Sequence, residues 1–232
     1  MSFSQRSYTK ELLDDDTIPF AAIKKNMQEL DFINTWLGGH AITLMGFRQL
    51  IGNRKHLTVC EIGCGGGDNL FAIKKWCKQK DIVVEMIGVD IKKECIDFAK
   101  SRSLLHVSAS FIASDYRLVI FDKKPDIVFS SLFCHHFSNE ELIEQFRWMK
   151  ENSGLGFFVN DLHRHVVAYY SIKWLTALFS SSYLVKNDAP LSVKRGFIKE
   201  DLIKLLTEAG ITNFSVTWKW AFRYLIIHRN DK

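Results

Sequence analysis

From Phe20 onward the apolar positions recur at helical spacing: Ile23, Met27, Leu30, Phe32-Ile33 and Trp36-Leu37 share a face, and Gly38-Gly39 stop the run. Ile42, Met45 and Leu50 mark a second helix that ends at Gly52-Asn53. The rhythm then changes. Residues 57–62, 82–89, 107–112, 126–131 and 156–160 are short apolar runs, and helix-length segments over 68–78, 92–101 and 139–150 separate them. Nearly continuous apolar strands alternating with helices predict an α/β fold with a doubly wound, mostly parallel sheet. Near the end, a helix over 199–209 leads to strands 214–218 and 222–228, joined by Lys219-Trp220-Ala221. A parallel crossover needs about a dozen residues, so these two strands form a C-terminal antiparallel hairpin. Residues 162–196 do not fit the alternation. Within them, 166–179 is helix-like and apolar almost all round, broken mainly by Lys173. Such a helix must be covered on more than one side, by core, substrate, a second copy of the chain or a membrane surface. The expected division is a tail and helical cap over 1–52 and an α/β domain over 53–232, with a helical lid at 162–196.

Composition narrows the classes. Among 232 residues, 47% are hydrophobic and 18 are Phe, which excludes a disordered chain. The net charge of +5 is mild, and the lysines come in dispersed pairs such as Lys74-Lys75 and Lys123-Lys124. That pattern reads as a solvated surface, so no nucleic-acid partner is expected. There is no run of about 20 apolar residues, so no membrane span is expected. The five cysteines include no CxxC and lack zinc spacing. They read as buried, reduced thiols in a cytoplasmic protein, with no metal. The polar, acidic N-terminus is unlike a secretory signal.

The densest chemistry is Glu61-Ile62-Gly63-Cys64-Gly65-Gly66-Gly67-Asp68, between the first strand and its helix. Glycines there let the backbone approach a ligand, and the helix start offers free N–H groups. The next strand ends in Gly88-Val89-Asp90, where an acid suits two ribose hydroxyls. A dinucleotide fingerprint wants a sixth-position glycine, but Asp68 stands there. Glu61 and Asp68 would repel a pyrophosphate and attract a cation. S-adenosylmethionine has a ribose and a cationic end, so this charge pattern favours it over a dinucleotide.

Val59-Cys60-Glu61-Ile62-Gly63-Cys64-Gly65-Gly66-Gly67 resembles the first motif of class I, Rossmann-like S-adenosylmethionine-dependent methyltransferases. Asp90, Ser114-Asp115-Tyr116 and Asp126-Ile127-Val128-Phe129 match its later motifs, and the closing hairpin agrees with its seven-stranded sheet. The resemblance runs over residues 57–229. Asn160-Asp161-Leu162-His163-Arg164-His165 is similar to the small-molecule branch that serves quinone biosynthesis and polyketide tailoring. The resemblance implies Glu61 and Gly63 at the methionine end, Asp90 on the ribose, and Asp115 with Tyr116 at the adenine. Gly65, Asp68, Ile91 and Ser130 complete the expected cofactor set. It also implies a small hydrophobic or aromatic acceptor and O-methylation of a phenol-like hydroxyl, with C-methylation of a quinol or polyketide ring as the alternative. A nucleic-acid methyltransferase fits less well, because Ser130-Ser131-Leu132-Phe133 lacks the proline element that holds a flipped base.

Reacting groups in an open α/β sheet belong beyond the carboxyl ends of the strands. Two histidine pairs fall there: His135-His136, and His163 with His165. His163, His165 and His135 are therefore the candidate bases, and Asp161 could orient one of their rings. His136, Tyr169, Tyr170 and Trp174 are the candidate acceptor contacts. In the family resembled, N-terminal helices cover the cofactor, which makes a contact from Trp36 to His40 the alternative to the structural reading of this stretch, Trp36 as core and Gly38-Gly39 as a helix stop.

Overall fold

A computed structural model describes residues 3–15, 17–103 and 109–231. The cap comprises α1 (Phe20–Trp36) and α2 (Gly39–Ile51). The alternating part runs β1 (His56–Ile62), α3 (Asp68–Lys78), β2 (Val83–Asp90), α4 (Lys93–Ser103), β3 (Ala109–Ala113), β4 (Ile127–Ser131), α5 (Asn139–Glu151) and β5 (Gly156–Leu162). The long segment folds as α6 (Val166–Phe179) and α7 (Tyr183–Arg195). The chain closes with α8 (Lys199–Glu208), β6 (Phe214–Lys219) and β7 (Arg223–Arg229). Positions 107 and 108 of the expected third strand lie outside the described residues.

The sheet order is β3-β2-β1-β4-β5-β7-β6. β7 runs antiparallel to both β5 and β6, as the short connection requires. β1 sits between β2 and β4, so the crossovers reverse direction there and leave a crevice at the carboxyl ends of β1 and β4.

Strand alternation builds the core on both sides of this sheet. Neighbouring Phe157 and Phe158 point to opposite faces. Phe158 stacks on Phe129 at 4.7 Å, and Phe157 stacks on Phe146 of α5 at 6.1 Å. A Cβ on Gly46 would stand 2.5 Å from the Phe158 ring, so glycine is what lets α2 lie against β5. Asn160 of β5 locks this contact by donating to the Gly39 carbonyl at 3.2 Å and to Thr43 Oγ1 at 3.3 Å. The cap is thereby fixed over the carboxyl ends of the strands.

The N-terminal segment is also fastened. Asp188 of α7 accepts from the backbone N–H groups of Leu12 and Leu13 at 2.9 and 3.0 Å. The five cysteines are buried and free. Within the chain itself α6 is covered on one side, where it buries Ala168, Tyr169 and Thr176.

Candidate functional site

A cavity of about 480 Å³ opens at the carboxyl ends of β1, β2 and β4. The glycine turn forms its floor, and α1 together with Leu13 and Asp14 forms its roof.

The turn interlocks with the tip of β4. Gly63 has φ 66°, and a Cβ there would meet the Phe133 ring at 2.2 Å. Gly65 donates its N–H to Asp90 Oδ2 at 2.8 Å, and the Lys92 N–H reaches Asp90 Oδ1 at 2.9 Å. Burial raises the Asp90 carboxyl above its ordinary range despite these two donors. Each oxygen keeps a lone pair for a hydroxyl. Glu61 is fully buried. Its Oε1 accepts from Asn69 Nδ2 at 2.9 Å, while Oε2 has no hydrogen-bond partner. Burial, reinforced by Asp68 and Asp90, pushes this carboxyl well above its usual range. An orphaned, buried carboxylate oxygen on a cavity wall fits a cationic donor.

Asn69 links Glu61 to the cap. Its Oδ1 accepts from His40 Nδ1 at 2.9 Å and from Thr43 Oγ1 at 3.1 Å, and His40 Nε2 donates to Asp31 Oδ1 at 2.9 Å. Burial alone would lower the His40 pKa, but these hydrogen bonds to Asp31 and Asn69 outweigh it and raise it. Asp68 is neutralised by Arg102, which also donates to the Gly66 carbonyl at 3.3 Å.

At the far end, Asp115 accepts from the Arg117 N–H at 2.9 Å, and that arginine's side chain lowers its pKa. Burial pushes Tyr116 up to about 12, and its ring packs edge-on against Phe133 and Phe137. Ile91 is exposed at the rim.

The opposite wall joins distant parts of the chain. His136 lines the cavity, and its Nδ1 donates to Asp14 Oδ1 at 3.2 Å. His135 lies behind it, buried, with Nδ1 donating to Asp161 Oδ1 at 2.8 Å. Burial would raise Asp161, but His135 offsets this and leaves it below the usual carboxylate range. Glu11, His135 and His136 bring three ligand-type atoms within 4.8 Å of one another. Sequence spacing gives no sign of this cluster, because Glu11 arrives from the N-terminal segment. Positive charge is already present: Arg195 stands 4.0 Å from Glu11 and 3.0 Å from Asp14. Arg195 also donates to the carbonyls of His135 and His136 at 3.1 and 2.8 Å, and Arg6 donates to that of Phe137 at 3.0 Å. The cluster is an ion-pair network that fastens the N-terminal strap.

Several predicted site residues stand elsewhere. His163 is half-buried beside Trp218, whose Nε1 donates to its Nδ1 at 3.2 Å. Burial lowers its pKa, and His165 and Arg164 add to this. His165 caps α6 by accepting the Val167 N–H at 3.2 Å. Neither ring lines the cavity, nor does His135. Tyr169 is buried against Phe3 and Val193, while Tyr170 and Trp174 face outward. Ser130 points to the other side of the sheet, with Oγ 3.3 Å from Cys134 Sγ, and Ser131 lines the cavity instead. A strand alternates its side chains, so one position decides this. No residue of 162–196 lines the cavity, and the expected lid is replaced by α1 and the strap. Sequence reading missed Asp14, Asn69, Arg102 and Phe133. Only Asn69, in the first turn after the glycines, carried a usable signal.

Sheet order, glycine turn and strand-tip acid together define the class I, Rossmann-like methyltransferase architecture. Residues 59–152 match the family model described as a methyltransferase domain. Among solved structures it is similar to the plantazolicin methyltransferase BpumL in complex with SAH: TM-score 0.67, 17% identity, with 90% of this chain and 88% of that one covered. It is also similar to a SAM-dependent methyltransferase from Aquifex aeolicus (TM-score 0.58, 16% identity, 79% and 87% covered). A third is magnesium protoporphyrin IX methyltransferase from Synechocystis PCC 6803 with bound SAH (TM-score 0.51, 17% identity, 94% and 90% covered). No curated protein sequence matches the chain.

Proposed function

We propose that this chain transfers the methyl group of S-adenosylmethionine to a hydroxyl of a small hydrophobic or aromatic acceptor. Bound in the cavity, the cofactor supplies an activated methyl group on a sulfonium. The protein's part is then to hold, orient and exclude water. Asp90 offers its free lone pairs to the ribose hydroxyls, Glu61 Oε2 takes the ammonium end, and Asp115 with Tyr116 flanks the adenine. The single observation that carries this reading is the orphaned Glu61 Oε2 on the same cavity as Asp90. Leu13, Met27, Leu30, Phe133 and Phe137 give that cavity an apolar lining for the acceptor.

Of the four strand-tip histidines, His136 alone lines the cavity. Its Nδ1 is committed to Asp14, and Nε2, 3.9 Å from Glu11 Oε2, is the atom assigned to accept the proton. We assign it the acceptor's proton. The small-molecule neighbours, which include enzymes acting on plantazolicin and a porphyrin, support this substrate size. The test is labelled-methyl transfer into a panel of phenols and quinols, with His136→Ala beside the wild type. The variant is expected to lose about 100-fold or more in kcat while its Kd for S-adenosylhomocysteine stays unchanged. Wild-type turnover in the variant leaves alignment alone as the mechanism. Failure of the wild type to bind S-adenosylhomocysteine removes the whole reading.

A further inference from the structure

The apolar character of α6 is not spent on the core. Val166, Tyr170, Trp174 and Leu178 follow one another at a spacing of four, with Val167 beside them, one stripe on a helix. That stripe faces away from Ala168, Tyr169 and Thr176, which are buried. Trp174 is 68% exposed, Leu178 71% and Phe179 81%. A second apolar projection lies at the start of the same helix. Trp218 and Trp220, both exposed, flank Lys219 at the β6–β7 turn. Trp218 bonds His163, and Phe222 stacks at 5.2 Å on His165, the residue that caps α6. The end of α1, with exposed Phe32 and Trp36, adjoins this turn through Asn34, which accepts from Arg223 at 2.8 Å. Four of the six tryptophans are thus turned outward on segments tied to one another.

We propose that α6 and the β6–β7 turn form a face that docks on an anionic lipid bilayer. Three features favour lipid over a protein partner. Trp and Tyr, apolar in body with a polar N–H or O–H, are the side chains suited to the headgroup boundary. Lys173 stands exposed at the edge of the stripe, with its Nζ 5.9 Å from the Tyr169 ring centre, Lys219 lies between two tryptophans, and the chain carries net charge +5, complementary to an anionic surface. The helix is 14 residues long, and no described helix is long and apolar enough to cross a membrane, so it would lie in the interface plane. The inference is independent of methyl transfer, since none of these residues lines the cavity except through α1.

Vesicle flotation tests it, with phosphatidylcholine alone and phosphatidylcholine mixed with phosphatidylglycerol. The full chain is expected to float with the mixed vesicles, less so at high salt, and hardly with the neutral ones. Trp174→Ser combined with Leu178→Ser should weaken binding about tenfold or more. Lys173→Glu with Lys219→Glu should remove the preference for anionic lipid. Both variants should keep wild-type Tm and S-adenosylhomocysteine affinity, which separates a lost surface from a lost fold. The proposal is overturned if the wild type does not bind either vesicle, or if both variants float as well as the wild type. It is also overturned if light scattering shows a dimer that the Trp174/Leu178 variant dissolves, which would make the face a contact between copies.

Discussion

Gly65 and Asp90, which brace the cofactor side of the cavity, are 25 positions apart, whereas Asp14 and His136 on the other side are 122 apart. The first wall is a local product of strand, turn and helix, repeated at adjacent strand tips. Its polar atoms are left partly unpaired, as at Glu61 Oε2. The second wall exists only after the N-terminal segment has packed against α7 and the segment past β4, and its polar atoms are densely paired by Arg6, Arg195 and three carboxylates. Unpaired groups on a cavity wall suit a ligand, while paired ones suit the fixing of a roof. The difference separates a binding wall from a fastening wall, with His136 and Asp14 belonging to the network and lining the cavity as well.

The largest effect should come from breaking the fastening wall. Arg195 is buried and holds the carbonyls of Thr9, His135 and His136 as well as Asp14. Arg195→Ala removes a donor from the carbonyls of His135 and His136 and the positive charge beside buried Glu11, and should cost about 3–5 kcal/mol of stability. Thermal unfolding measures that cost. Amide exchange should show protection lost over residues 3–15 before it is lost in the sheet. A cost no larger than that of an exposed substitution would mean that the strap is held some other way.

The same contrast explains what could be read from the chain. The parallel order, the hairpin and the glycine turn rest on periodicity and short spacings, which a linear sequence records directly. Asp90 was legible because a strand tip fixes it. Ser130 was misplaced by one residue, since the end of an apolar strand does not announce which neighbour faces the cavity. His163 and His165 sit at the right strand tip, yet the β6–β7 turn and the α6 cap claim them. The lid was placed on α6 because apolarity signals burial or contact without naming the partner. Glu11 and Asp14 were illegible, since no local pattern links an N-terminal acid to a histidine pair past β4.

On the binding wall, Asp90→Ala should lower S-adenosylhomocysteine affinity by about 2–3 kcal/mol, or roughly 30- to 160-fold, through two lost charge-assisted hydrogen bonds. Calorimetry measures it. Circular dichroism should remain native, because the sheet is held on both faces. An affinity within about twofold of wild type would move the ribose away from β2.

Glu61→Gln gives the smallest effect and the sharpest one, because two changes have opposite signs. In the ligand-free protein the folded-state pKa of Glu61 lies above its ordinary value. Its ionised form therefore destabilises the fold once pH exceeds that ordinary value, and a neutral Gln should raise Tm. A cationic ligand reverses the preference by favouring the carboxylate. Between the free and bound pKa values, binding then releases a proton, so affinity rises with pH across that window and flattens above it. Glu61→Gln should bind S-adenosylhomocysteine about tenfold more weakly and show a flatter pH profile. Titrations in two buffers of different ionisation enthalpy should diverge for the wild type, and the variant should lose the part of that divergence due to Glu61. If the variant is both less stable and equally buffer-dependent, Glu61 is a structural hydrogen-bond partner of Asn69, and the cation belongs elsewhere in the cavity.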